Sequence, residues 1–274
     1  MIKNIAVFLL CLLLLLTPLQ AAVNIFSVDL AGYKMTSIVI AEMKHEKKYF
    51  RYHDAKLLQK YLDMPDSNAS AINVFFAEYG KNKILFDTGT NAKSITAALK
   101  EINVKPEDVN IICITHMHYD HIGGLLDNNK RTFPNAAVYI PKEEADIDEN
   151  KNSDIFSIYG KDVKLFPRNA EIIPGIRSVP AFGHTKGHTS YLLTGKGQSV
   201  LIWGDILHAP VEFAHPDVYL VYDAYSLQTI ETRKEILKKY AGTGTYIAGA
   251  HLVSYGIGKI KREQNGYIFA PLKK

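Results

Sequence analysis

The chain has 274 residues, of which 47% are hydrophobic and 22% charged. That is enough to bury a sizeable core, and it excludes a disordered or collagen-like chain. The net charge of +4 is small, and the lysines near residue 45 alternate with Glu42 and Glu46, so charge argues for a solvated surface and no nucleic-acid partner. Two cysteines, Cys11 and Cys113, are too few for a disulfide scaffold or a zinc–thiolate site.

Residues 1–22 read as a secretory signal peptide, with Lys3, an apolar run over 5–16, Thr17-Pro18 and a small-residue end at Ala21-Ala22. The run is shorter than the ~20 residues a spanning helix needs. The expectation is a mature domain over 23–274, periplasmic or secreted, with no stable membrane anchor after cleavage. Cys113 is then its single cysteine, so the domain must be stable without a cross-link.

Along that domain, 25–31 and 36–41 are β-branched runs parted by Gly32 and predict a hairpin. A short helix is expected over Ala55–Leu62. A second hairpin is expected from 72–79 and 83–87, ending in Asp87-Thr88-Gly89. Ile95, Leu99 and Ile102 have helical spacing, and 109–115 reads as a strand buried on both faces. A strand over 136–140 and an acidic helix from Lys142 to Asp148 come next. Two further hairpins are expected, 161–166 with 172–178 and 191–194 with 199–203. Ser226–Tyr240 predicts a helix and 246–250 a last inner strand. Strands with interspersed helices and no repeat point to an α+β or layered α/β domain without an internal boundary.

The chemistry lies in the histidines. Thr115-His116-Met117-His118-Tyr119-Asp120-His121 directly follows the buried strand, and Gly123-Gly124 lets the chain turn after it. In extended chain His116 and His118 point to one side, as two ligands of one metal should. Asp120 and His121 come as the chain turns, placed to face a second metal beside the first. Further candidates share the address just past a strand: His184 and His188 in Gly-His-Thr-Lys-Gly-His, Asp205 after Trp203-Gly204, and His251 after Ala250.

These landmarks, in this order, resemble the metallo-β-lactamase superfamily of hydrolases over essentially the whole mature chain. The stretch from Trp203-Gly204-Asp205-Ile206-Leu207-His208 through Phe213-Ala214-His215-Pro216 to Thr232-Arg233-Lys234 resembles its methyl-parathion-hydrolase branch in particular. The resemblance implies a four-layer αβ/βα sandwich with two divalent metal ions, zinc foremost, at one edge. It implies that His116, His118 and His184 hold one metal, that Asp120, His121 and His251 hold the other, and that Asp205 bridges them. It places His188 outside the ligand set. Asp87 is read either as a hydrogen-bond partner of a ligand histidine or as a turn-forming residue.

Two metals about 3.5–4 Å apart share a water and bring its pKa toward ~7. The implied reaction is attack of a bridging hydroxide on a carbonyl carbon or phosphorus, with Asp120 orienting it and handling its proton. His208 stands where a tyrosine supports the substrate oxygen in the N-acyl-homoserine lactonases, so it is either catalytic or lines the pocket. Phe213 and Tyr255 are read either as pocket walls or as core residues, the commoner place for an aromatic in a strand-rich domain. The expected function is hydrolysis of small-molecule esters or lactones, with phosphotriesters in range. The alternatives are β-lactam cleavage, which the bridging Asp205 speaks against, and a metal-binding protein without catalysis. Oligomeric state is left open, a dimer included, and the loops over 42–70 and 142–154, which shape the pocket, carry no readable code.

Overall fold

The first turn is built on Ala31 and Gly32, both at positive φ (52° and 82°), the geometry of a tight two-residue hairpin. It joins strands Asn24–Leu30 and Tyr33–Lys44, which pair antiparallel. The computed structural model describes residues 24–264 and 266–273. The expected signal peptide, with Cys11, lies outside them.

Among the described residues the sandwich consists of two seven-stranded sheets, each laid down in chain order by one half of the chain. The first sheet continues with the hairpin Ala69–Tyr79 and Asn82–Phe86. Strands Ile111–Cys113, Ala137–Pro141 and Val163–Phe166 then add in parallel. The second runs Glu171–Ile173, Ile176–Pro180, Thr189–Gly195, Gln198–Ile202, Tyr246–Ala248, Ile257–Glu263 and Gly266–Pro271. Its neighbours are antiparallel except for Gln198–Ile202 with Tyr246–Ala248.

Three apolar layers explain the stacking. Between the sheets, Phe75, Phe86 and Cys113 meet Tyr191, Val200 and Ile202. Outside the first sheet the helix Ala92–Glu101 buries Ile95, Ala98 and Leu99, each large side chain contributing about 1.5–3 kcal/mol of transfer free energy. That helix starts where the Asn91 side chain accepts from Ser94 N at 2.8 Å. Outside the second sheet the helix Ser226–Tyr240 buries Ile236, Leu237 and Tyr240. The order helix–sheet–sheet–helix is the expected αβ/βα sandwich.

Several expectations are corrected. The segments 161–166 and 172–178 do not form a hairpin: Val163–Phe166 ends the first sheet, parallel to Ala137–Pro141, and Glu171–Ile173 opens the second. Gly175, at φ 89°, reverses the chain inside what reads as one apolar run. The strand over 109–115 is ordered as such only at Ile111–Cys113, because beyond Cys113 the chain leaves the ladder to carry the histidines. The acidic helix splits into Lys142–Ala145 and Asp148–Lys151. Tyr246–Ala248 is not last, since Ile257–Glu263 and Gly266–Pro271 pair beyond it.

Candidate metal centre

Every candidate side chain sits at or just past the C-terminal end of a strand, all at one edge of the sandwich. His116, His118, Asp120 and His121 follow Ile111–Cys113, with the last two in the short helix Tyr119–Ile122. His184 follows Ile176–Pro180, Asp205 follows Gln198–Ile202, and His251 follows Tyr246–Ala248.

The His118 Nδ1 lies 3.0 Å from His116 Nε2 and 2.9 Å from His184 Nε2. The Asp205 Oδ2 lies 3.3 Å from His184 Nε2, 3.7 Å from His116 Nε2 and 3.0 Å from His251 Nε2. Its Oδ1 lies 3.2 Å from His121 Nε2. The Asp120 Oδ2 is 3.6 Å from Nε2 of both His121 and His251. Two of the groups that result are His116, His118, His184 and Asp205, and Asp120, His121 and His251, each with its ligand atoms within 4.8 Å of one another; His208 falls in two more, with His184 and Asp223 and with Asp205 and His251. Asp205 stands between the first two.

The donor set fits a pair of divalent cations. The His121 Nε2 and Asp205 Oδ1 are buried without a hydrogen-bond partner among the described residues, a costly arrangement unless something positive satisfies them. Outer partners take the other nitrogen of three rings. His121 donates Nδ1–H to Asp87 at 2.8 Å, His184 to Asp223 at 2.9 Å, and His251 to the Ala71 carbonyl at 2.8 Å. These bonds assign the tautomers and turn the Nε2 lone pairs inward. Burial holds His116 well below its ordinary range and brings His118 to about 4, so both are neutral bases. Burial works against the Asp205 carboxylate, but His121, His251, His116 and His184 hold it well below the usual carboxylate range.

The scaffold around these side chains is equally specific. Asp87 itself sits at φ 60°, which aspartate tolerates, and its oxygens also accept from Thr115 N and Oγ1 at 2.8 Å. Its role is therefore both a turn and a partner to His121. His188 donates Nδ1–H to the Ala181 carbonyl at 2.8 Å and accepts from Asp205 N at 2.9 Å. Burial brings that imidazole down to about 3. Both its nitrogens are occupied, and it orients the loop that carries Asp205. Gly204, at φ 61°, lies where a Cβ would come 2.5 Å from His188 Nε2, so only glycine lets these two residues approach. Glu144, buried in the short helix Lys142–Ala145, accepts from Met117 N at 2.9 Å, Thr185 Oγ1 at 2.6 Å and Gly187 N at 3.1 Å. One carboxylate thus ties the His116–His121 loop to the His184–His188 loop.

Met43, His45, Tyr222 and His208 line the open cleft of about 440 Å³ above these groups. The His208 ring stacks on His251 at 5.0 Å, and its Nε2 is 3.4 Å from Asp205 Oδ2. Phe213 and Tyr255 are elsewhere. Phe213 packs between Trp203 and Phe269 beside a separate apolar cavity, and Tyr255 packs on Phe26. Sequence reasoning missed Glu144, Asp223 and His45. Glu144 belongs to a stretch that reads as an acidic helix and Asp223 to one without a motif, and only their burial sets them apart.

Comparison with known proteins agrees with this geometry. Residues 68–244 match the model of the Metallo-beta-lactamase superfamily. The chain is 27% identical over 180 residues to an N-acyl homoserine lactonase of Bacillus cereus, a match covering 64% of this chain and 70% of that one. Among solved structures, the hydrolase AbOPH in the beta lactamase superfamily superposes with a TM-score of 0.83 at 25% identity, over 92% of this chain and 98% of its own. AidC, a dizinc quorum-quenching lactonase, superposes with a TM-score of 0.82 at 22% identity, over the same shares. A family match over more than half of the chain, on a sandwich with this polar edge, settles the family: the chain belongs to the metallo-β-lactamase superfamily.

Proposed function

We propose that this protein is a dinuclear metal-dependent hydrolase that opens lactones and cleaves esters, most at home with zinc and closest to the methyl-parathion-hydrolase branch. The observation that carries the reading is Asp205, whose two oxygens face histidines of both groups at 3.0–3.7 Å. A shared carboxylate makes one centre of two sites. The lactonase relatives add the substrate class.

A metal pair held there supplies a Lewis acid for the carbonyl oxygen and acidifies water toward a pKa of ~7. The protein's own groups do the rest. Asp205 offsets positive charge, and Asp120, the more exposed of the two carboxylates at 29% against 3% side-chain exposure, faces the cleft and takes the proton of the attacking water. The acyl C–O bond breaks as the new C–O bond forms, and Asp120 returns the proton to the leaving oxygen. His208 faces the same space and supports the substrate oxygen. Neither a serine nor a thiolate is needed, and Cys113 is buried in the core with its thiol pushed far up by burial. The reading includes export of residues 23–274, supported by the composition of 1–22, and action on a small molecule.

The test is a panel of γ- and δ-lactones, aryl esters, phosphotriesters and β-lactams on metal-loaded protein. Turnover of lactones and esters, lost on chelation and restored by zinc, is expected. Turnover confined to β-lactams, or none at all with both metals bound, overturns it.

A further inference from the structure

Behind the cleft lies a fully buried cation that the chemistry above does not use. Arg233 is on the inner face of the helix Ser226–Tyr240 and is 0% exposed. Its Nε donates to the Ile206 carbonyl at 2.9 Å, and its Nη1 to those of Pro216, at 3.2 Å, and Val218. Its Nη2 lies 2.7 Å from Glu212 Oε1 and 3.7 Å from Asp223 Oδ2. Each of these carboxylates has its other oxygen turned to the site. The Asp223 Oδ1 accepts from His184 Nδ1 at 2.9 Å. The Glu212 Oε2 accepts from the backbone N–H of His208 at 2.6 Å and of Ala209 at 3.0 Å.

The other group is built differently. His121 leans on Asp87 and His251 on the Ala71 carbonyl, and neither partner touches Arg233. We propose that Arg233 is a positioning residue chiefly for one metal of the pair: through Asp223 it backs the ring of His184 directly, whereas it reaches the Asp120–His121–His251 group only at one remove, through Glu212 and His208, whose ring stacks on His251. The physical reason is the planar guanidinium fork, which donates to three carbonyls while its Nη2 edge sets a fixed positive charge beside two carboxylates, without a hydrogen bond to either, as a mobile ammonium does not. Without it the buried Asp223 carboxylate lacks a counter-charge and its Oδ2 keeps only the Leu220 N–H, at 3.3 Å, so it turns away. That frees the His184 ring, and with it the direction of its Nε2 lone pair.

The inference rests on the two-metal reading, but its test reads metal binding rather than turnover. The full protein, loaded with zinc or cobalt, is titrated against a competing chelator, with thermal unfolding followed in parallel. In Arg233→Lys the metal at His184 should bind about 10–100-fold more weakly and the other should lose clearly less, since Arg233 reaches His251 only through Glu212 and His208. A chelator wash that spares the unaltered protein should then leave one metal per chain and remove part of the cobalt absorption. Asp223→Asn, which keeps every bond from Arg233 to a carbonyl, should give the same one-sided loss and serves if Arg233→Lys does not fold. Asp87→Asn should loosen the opposite metal, so combining it with Asp223→Asn should cost both. Equal weakening of the two metals in Asp223→Asn, or unchanged affinity of both, overturns the proposal. An unaltered protein that binds no metal overturns the two-metal reading instead.

Discussion

The two halves of the sandwich contribute to the site in different ways. The first half supplies four candidate ligands within six residues, His116 to His121, on one loop and one short helix. The second half supplies three, His184, Asp205 and His251, from the ends of three different strands. The first set is local, so its geometry follows from the chain's own turn at Tyr119–Ile122. The second depends on the sheet: His251 reaches Asp205 because Tyr246–Ala248 pairs in parallel beside Gln198–Ile202. A metal centre of this kind is half motif and half topology.

Breaking the topological half at its centre should have the largest effect. Asp205→Asn keeps the volume but removes the charge that both groups share, so metal content should fall below two and kcat/KM by more than about a hundredfold. Elemental analysis beside lactone kinetics checks this. Next comes the local half. Asp87→Asn leaves one acceptor oxygen where Asp87 uses two, so Thr115 N–H and His121 Nδ1–H compete for it, and one metal should weaken by about 10–100-fold, read by chelator competition.

A smaller effect is expected at the brace between the halves. Glu144→Gln loses part of the support for Met117, Thr185 and Gly187 together and should cost about 1–3 kcal/mol in denaturant unfolding, with a modest rise in KM. His188→Ala should disturb the metals least. Both ring nitrogens already have protein partners, so two metals should remain while stability drops by about 1–3 kcal/mol. If His188→Ala strips a metal while His184→Ala does not, the roles of these two histidines are exchanged.

The same contrast explains what the amino-acid sequence disclosed. Local signals were legible: the hairpin turn at Gly32, the helices Ala55–Leu62 and Ser226–Tyr240 at their observed bounds, and the histidine loop. Errors fell where partners are distant. Two apolar runs parted by a few residues look like a hairpin, but 161–166 and 172–178 belong to opposite sheets, since Gly175 already supplies the reversal. Their shared position past strand ends nominated His184, Asp205 and His251, and the resemblance to a family divided them between the two metals and set His188 aside. Glu144 could not be singled out in this way, because a charged residue in an acidic helix looks solvated until the fold buries it; Asp223 lies in a turn with no motif, and Arg233 stood out only as part of a resembling stretch, without a role. For Phe213 and Tyr255 the structure selects the second of the two readings the sequence offered, packing against the core rather than lining the metal cleft.

The central claim is that two halves of the sandwich make one two-metal centre. The most direct measurement is the metal content of protein purified without chelators, by elemental analysis. The account predicts close to two transition-metal ions per chain, falling on chelation and returning on dialysis against zinc or manganese. A chain that holds no metal as purified, and regains none on dialysis, contradicts it.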